Sequence, residues 1–144
     1  MPGRVGVNEM QDADRPALRR LYLEARRASS LWGDAAALAL EDFDAATAGE
    51  LVLAAHREGR IVGFVSAWLP DNFVHLLFVA PAAVRSGVGS ALLSVCLERI
   101  GRPATLKCLQ ANADALAFYR RYGWEIVAPG RAEDGAYFLM KLES

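Results

Sequence analysis

Between residues 50 and 79 the chain reads ELVLAAH, REG, RIVGFVSAWL, PDN, FVHLLFV: strand-like runs at 50–56, 60–69 and 73–79, with REG and PDN alone between them. Connections that short cannot carry a chain across a sheet to a parallel neighbour, so the three runs must form an antiparallel meander. The pattern then changes. PAAVRSGVGS (81–90) breaks the strand period, and GVGSALLSVCLERIG (87–101) is apolar nearly all round, which predicts a helix buried against the sheet.

The flanks extend this plan. GRVGV (3–7) reads as a first strand. Asp14 and Pro16 open a helix whose Leu18, Leu21, Tyr22 and Ala25 share one face with arginines opposite, and ASSLWGD (28–34) ends it. AAALALEDFDAAT (35–47) predicts a second, shorter helix. Past the buried helix, Gly101 and Pro103 lead into the strand TLKCLQ (105–110). A helix from Asn112 to Tyr122 follows, capped by Asn112 and closed by Gly123; WEIVA (124–128) and AYFLMKL (136–142) are strands around the loop PGRAEDG. The expected class is α/β (α+β): one domain over residues 1–144, with a mixed, mostly antiparallel sheet of about seven strands flanked by about four helices.

Composition excludes some functions. A net charge of −1 supplies no basic field for nucleic acid, and the cluster Arg19, Arg20, Arg26, Arg27 reads as the solvated face of a helix. Cys96 and Cys108 lie far apart in apolar runs, and with two histidines in the chain no metal-ligand spacing arises. They read as buried thiols of a reducing compartment. MPGRVGVNEM lacks the apolar run of a signal peptide and no stretch reaches membrane-spanning length, so a cytoplasmic protein with no membrane partner is expected.

The glycine stretch suggests a phosphate cradle. A Walker loop would need a lysine after the second glycine, and none lies near Gly87 or Gly89. A dinucleotide fingerprint would need a third glycine where Leu92 stands and an acid near residues 107–110, and has neither. What remains is a glycine-flanked helix start that points free N–H groups one way, with Arg85 adding a cation. A plain glycine-rich cap that lets a helix pack tightly on a sheet fits those residues equally well. The second constellation, NADALAFYRRYGW (112–124), sets Asn112 at a helix start and Phe118, Tyr119 and Tyr122 late on the same helix. These aromatics read either as core or as a wall from which a tyrosine hydroxyl donates a proton.

Together, VAPAAVRSGVGSALL and NADALAFYRRYGW resemble the two motifs of the GNAT superfamily of N-acetyltransferases, and the order of elements matches along most of the chain. The resemblance implies acetyl-CoA as cosubstrate and no metal. The coenzyme pyrophosphate would lie on the backbone of Val84, Arg85, Ser86, Gly87, Val88, Gly89 and Ser90. Val84 replaces the glutamine or arginine usual three residues after the proline, which leaves the cradle to backbone groups with Arg85 assisting. Phe78 and Val79 end the strand that would pair with the pantetheine arm, Asn112 matches the asparagine near that arm, and Tyr119 matches the tyrosine beside the thioester sulfur. The implied reaction is attack of a neutral amine on the thioester, with N–H groups near Phe78 stabilising the oxyanion and Tyr119 protonating the thiolate.

His75, on the coenzyme-side strand, is the candidate base; its other reading is a strand histidine held in solvent or core. Trp32, Glu41, Phe43, Trp68 and Tyr137 are candidates to line the acceptor pocket. The acids Glu41, Asp42 and Asp44 suit a cationic amine or a solvated surface alike. The leading expectation is transfer to a primary amine of a small molecule or an exposed protein amine. A non-catalytic acyl-CoA sensor, or an interaction domain that has lost the coenzyme, would share the same loop. A homodimer is left open.

Overall fold

The computed structural model describes residues 4–143. Its strands are β1 (Gly6–Glu9), β2 (Leu51–Arg57), β3 (Arg60–Trp68), β4 (Phe73–Val79), β5 (Ala104–Leu109), β6 (Glu125–Ala132) and β7 (Gly135–Leu142). Its α-helices are α1 (Arg15–Arg27), α2 (Asp42–Thr47), α3 (Val88–Ile100) and α4 (Ala113–Arg121). The strands form one seven-stranded sheet in the order β1-β2-β3-β4-β5-β7-β6, antiparallel except where β4 meets β5. The expected meander is β2-β3-β4.

The near-continuous apolar run of β2 is explained by burial on both faces. Val52 and Ala54 face α1 and α2 in a core with Leu18, Leu21, Tyr22, Phe43 and Phe64. Leu53 and Ala55 face α3 in the larger core, with Val65, Leu92, Cys96, Leu106, Trp124 and Met140. Gly63 lets α3 sit close: a Cβ there would stand 2.9 Å from both the Phe78 carbonyl and the Val88 side chain. The first turn of α3 is thereby brought against the end of β4.

Several sequence expectations shift. β1 starts later than residue 3, which lies outside the described residues, because its register is set by pairing Gly6 with His56 through Glu9 with Leu53. The 35–47 helix is broken. Asp34 caps a short 3-10 turn at Ala35–Ala37, Leu38 is extended, and α2 begins only at Asp42. Helix α3 is buried on one face only; Ser94, Glu98 and Arg99 are exposed. The loop expected at 129–135 is mostly strand, reaching Ala132, because Pro129 sits on the outermost strand, where a missing N–H disturbs the sheet least.

The arginine face of α1 is not simply solvated. Arg15 and Arg19 both donate to Asp44, and the buried Arg26 donates to Asp42 while its guanidinium lies 3.7 Å over the Tyr22 ring. Asp42 also accepts from the Ala39 N–H. These acids therefore clamp α2 to α1. They are neither a plain solvated surface nor an amine trap. Arg20 and Arg27 are exposed, as expected.

Candidate active site

The site is created where β4 leaves β5. The two strands pair at Phe73↔Thr105 and Val74↔Leu106 and then part. Across β4's other edge, Leu76 pairs with Ser66 and Val74 with Ala67, so His75 is the extra residue of a β-bulge. A bulge bends its strand and re-aims the side chains that follow. Here Val74 belongs to the α3-side core, whereas Leu76 belongs to the α1-side core. From His75 to Val79, the β4 edge facing β5 carries no strand, so its backbone groups are open to another extended chain.

A cavity of about 720 Å³ opens on the side of α3 and α4. Val79, Val84, Arg85, Gly87, Gly89, Ser90 and Tyr119 line it, with Phe118 and Arg121. Gly87 takes a left-handed conformation (φ 88°) just before the helix, and no side chain caps α3. The first-turn N–H groups of Val88, Gly89 and Ser90 are thus the donors a helix start leaves unpaired. That arrangement fits a diphosphate: uncapped N–H groups, a positive helix end and Arg85 around one space.

Two loop residues turn their side chains away from this cavity. The Val88 side chain is fully buried, and Ser86 is turned inward, its hydroxyl donating to the Ala83 carbonyl. Ser86 is also held by Arg57, whose guanidinium donates to its hydroxyl (2.9 Å) and its carbonyl (3.0 Å). Sequence reading missed Arg57, since in REG it looks like a turn residue; only the fold brings it to the loop, 29 positions downstream.

A second cavity, of about 550 Å³, opens on the side of α1 and the β6–β7 turn, lined among others by Trp32, His75, Phe78, Lys107, Asn112 and Tyr137. Tyr119, Leu77, Val79, Val84 and Ala115 line both cavities, so the two meet beside Tyr119. Burial holds the Tyr119 phenol well above the usual tyrosine range, which keeps its proton in place. Cys108 also lines the second cavity, but burial pushes its thiol up to about 11, so it is a poor nucleophile near neutral pH.

His75 lies in the wall of this second cavity. Its Nδ1 lies 2.8 Å and 3.0 Å from the two carboxylate oxygens of Glu50, whose side chain is only 8% exposed. Nδ1 held on a carboxylate leaves Nε2 as the nitrogen able to take a proton. Glu50 was also missed from sequence, where it is just the first polar residue of a strand-like run.

Asn112 lines the cavity and caps α4, accepting from the Ala115 N–H at 3.2 Å. Trp32 packs on Phe78 with ring centroids 5.5 Å apart. Three pocket candidates fail. Phe43 is fully buried in the aromatic core between Tyr22 and Phe64. Glu41 is exposed at the start of α2, and Trp68 lies 39% exposed at the end of β3; neither lines either of these two cavities.

Residues 15–124 match the model of the Acetyltransferase (GNAT) family. The chain belongs to that family. This GNAT protein is 32% identical over 127 residues, 84% of each chain, to the peptidyl-lysine N-acetyltransferase YiaC of Escherichia coli (strain K12). It is an N-acetyltransferase. Its fold resembles the ribosomal-protein-S18-alanine N-acetyltransferase of Escherichia coli, with a TM-score of 0.77, 19% identity and coverage of 97% of this chain and 94% of that one. It also resembles yncA of Salmonella typhimurium, solved with its cofactor acetyl-CoA, with a TM-score of 0.75, 18% identity and coverage of 96% and 93%. Among the described residues of this GNAT chain, no group of side chains could hold a metal ion, and no helix is long and apolar enough to cross a membrane.

Proposed function

We propose that this GNAT domain transfers an acetyl group from acetyl-CoA directly to a primary amine, of a small molecule or exposed on a protein. The observation that carries this reading is the meeting of two cavities beside Tyr119, in the gap that β4 opens by leaving β5. Bound acetyl-CoA supplies a thioester there. The α3 N–H groups and Arg85 hold its phosphates, Arg57 fixes the loop through Ser86, and the free edge of β4 up to Phe78 and Val79 takes its amide-bearing arm.

Each chemical task then has a residue. His75, fixed on Glu50 through Nδ1, takes the proton from the incoming ammonium at Nε2. Backbone N–H groups near Phe78 face charge developing on the carbonyl oxygen. Tyr119, kept protonated by burial, gives its proton to the departing sulfur. The high thiol pKa of Cys108 favours direct transfer over a relay through an acyl-cysteine. The peptidyl-lysine acetyltransferase relative supports an exposed protein amine as one acceptor class.

The test is release of free thiol from acetyl-CoA across a panel of primary amines, beside a thermal melt with acetyl-CoA. The expected result is a raised melting temperature and thiol release that requires an amine. A raised melt with no transfer to any amine would make the domain an acyl-CoA sensor. No shift at saturating acetyl-CoA would remove the coenzyme altogether.

A further inference from the structure

The wall of the acceptor cavity contains a cation that none of the roles above uses. Lys107 is the first β5 residue past the last β4–β5 pair, as His75 is the first on β4, so the two stand on opposite banks of the gap at its narrow end. Strands lie about 4.8 Å apart where they pair, so the two backbones have only begun to part at this point. The neighbours Leu106 and Cys108 point into the α3-side core, which turns Lys107 to the other face, toward the acceptor cavity. Its Nζ lies 4.9 Å from the centroid of the Tyr137 ring, another wall of the same cavity.

What Lys107 lacks is a carboxylate. Arg15 and Arg19 share Asp44, Arg26 holds Asp42, Arg99 holds Glu9 and Lys141 holds Glu143. Among the described residues no carboxylate pairs with Lys107, and its one recorded interaction is with an aromatic face. The other titratable side chains along this wall that could meet a charge are His75, already engaged by Glu50, and Asp134 on the β6–β7 turn. An ammonium in this wall repels an incoming ammonium. The same ammonium attracts an acceptor that carries an anion close to its amine.

We propose that Lys107 forms an anion subsite that binds a carboxylate carried within a few bonds of the reacting amine. The acceptor is then an amino acid, or a peptide whose amino-terminal residue is acidic, and a lysine inside a basic segment is disfavoured. The inference rests on the transferase reading of this cavity. The carboxylate sits on Lys107 and the Tyr137 edge, which sets the amine on the opposite bank beside His75.

Thiol release from acetyl-CoA tests it in the full chain with acceptors that differ only in the anion. The pairs are Asp-initiated against Asn-initiated peptides of otherwise one sequence, and free phenylalanine against phenylalaninamide; the two pairs separate a side-chain carboxylate from an α-carboxylate. Each is measured with the wild type, Lys107→Gln and Lys107→Glu, with melts to show that these exposed-site variants fold. The wild type is expected to favour the acidic member of at least one pair by about tenfold in kcat/KM, the size of a charge-assisted contact. Lys107→Gln should bring that ratio to about one and Lys107→Glu invert it, with the KM for acetyl-CoA unchanged. Equal ratios in all three proteins, or a wild type that favours the neutral member of both pairs, would overturn the subsite alone. Failure of every acceptor to give thiol release from acetyl-CoA overturns the transferase reading, and the subsite with it.

Discussion

The two cavities that meet beside Tyr119 are built by different means. The side proposed for the coenzyme sets the stretch Val79 to Ser90, with the uncapped N–H groups that open helix α3, against one face of α4. The acceptor side is made of side chains from separated parts of the chain: Trp32 after α1, His75 on β4, Lys107 on β5 and Tyr137 on β7. Backbone donors are the same in every residue, so such a cradle tolerates Val84 in place of a polar side chain. A side-chain cavity has no such tolerance, and its chemistry changes with each residue in the wall. One face of Tyr119 therefore belongs to a generic device and the other to a particular one.

The contrast is open to direct attack. The largest effect is expected at the junction: Tyr119→Phe should lower kcat by about a hundredfold, while the KM for acetyl-CoA stays within about threefold, because the ring still fills the wall. An unchanged kcat would remove Tyr119 as the acid and leave it as packing.

Next comes the acceptor side. Glu50→Gln and His75→Gln should each reduce kcat/KM for the amine by about tenfold, and the double variant should be no worse than His75→Gln alone, since the two act as one unit. Additive losses would mean that Glu50 works independently of His75. On the coenzyme side, Arg57→Gln should raise the KM for acetyl-CoA about fivefold with kcat nearly constant, the mark of a residue that only holds a loop. A loss confined to kcat would contradict that division of labour.

The smallest effect concerns the clamp between α1 and α2. The Arg19 guanidinium holds the Asp44 carboxyl below its usual 3.8, and the Ala39 N–H, then Arg26, does the same for Asp42. A carboxyl with a lowered folded pKa stabilises the fold above the unfolded value and loses that contribution as pH falls through the folded one. Asp44→Asn should therefore lower the melting temperature at neutral pH. The gap to the wild type should close below pH 3.8, where the wild type loses the same interaction. A gap that persists in acid would point to packing and away from charge.

Much of the fold was legible because its signals are local. Three-residue gaps dictated the meander, Gly101 and Gly123 marked helix ends, and the glycine stretch announced an uncapped helix start. Phe43 shows where such reading fails. An aromatic in a polar segment looks like a pocket wall, but α2 turns it inward onto Tyr22 and Phe64. Trp68 fails in the opposite direction, since the end of β3 carries it away from the gap. Neither outcome is encoded in the neighbours of those residues.

The sequence by itself determined the strand order of the meander, the apolar stripes, the glycine-opened start of α3 and, through its two motifs, the family. Those depend on turn length, periodicity and backbone freedom, which act over a few residues. Tertiary structure alone decided that β4 would bulge at His75 and leave β5 after Val74. It also decided that Glu50 would reach His75, Arg57 would reach Ser86, and Lys107 would line a cavity with no carboxylate paired to it among the described residues. The physical reason is distance along the chain: 25 positions separate Glu50 from His75 and 29 separate Arg57 from Ser86. No periodicity links such pairs, and only sheet register and bulge geometry bring them together.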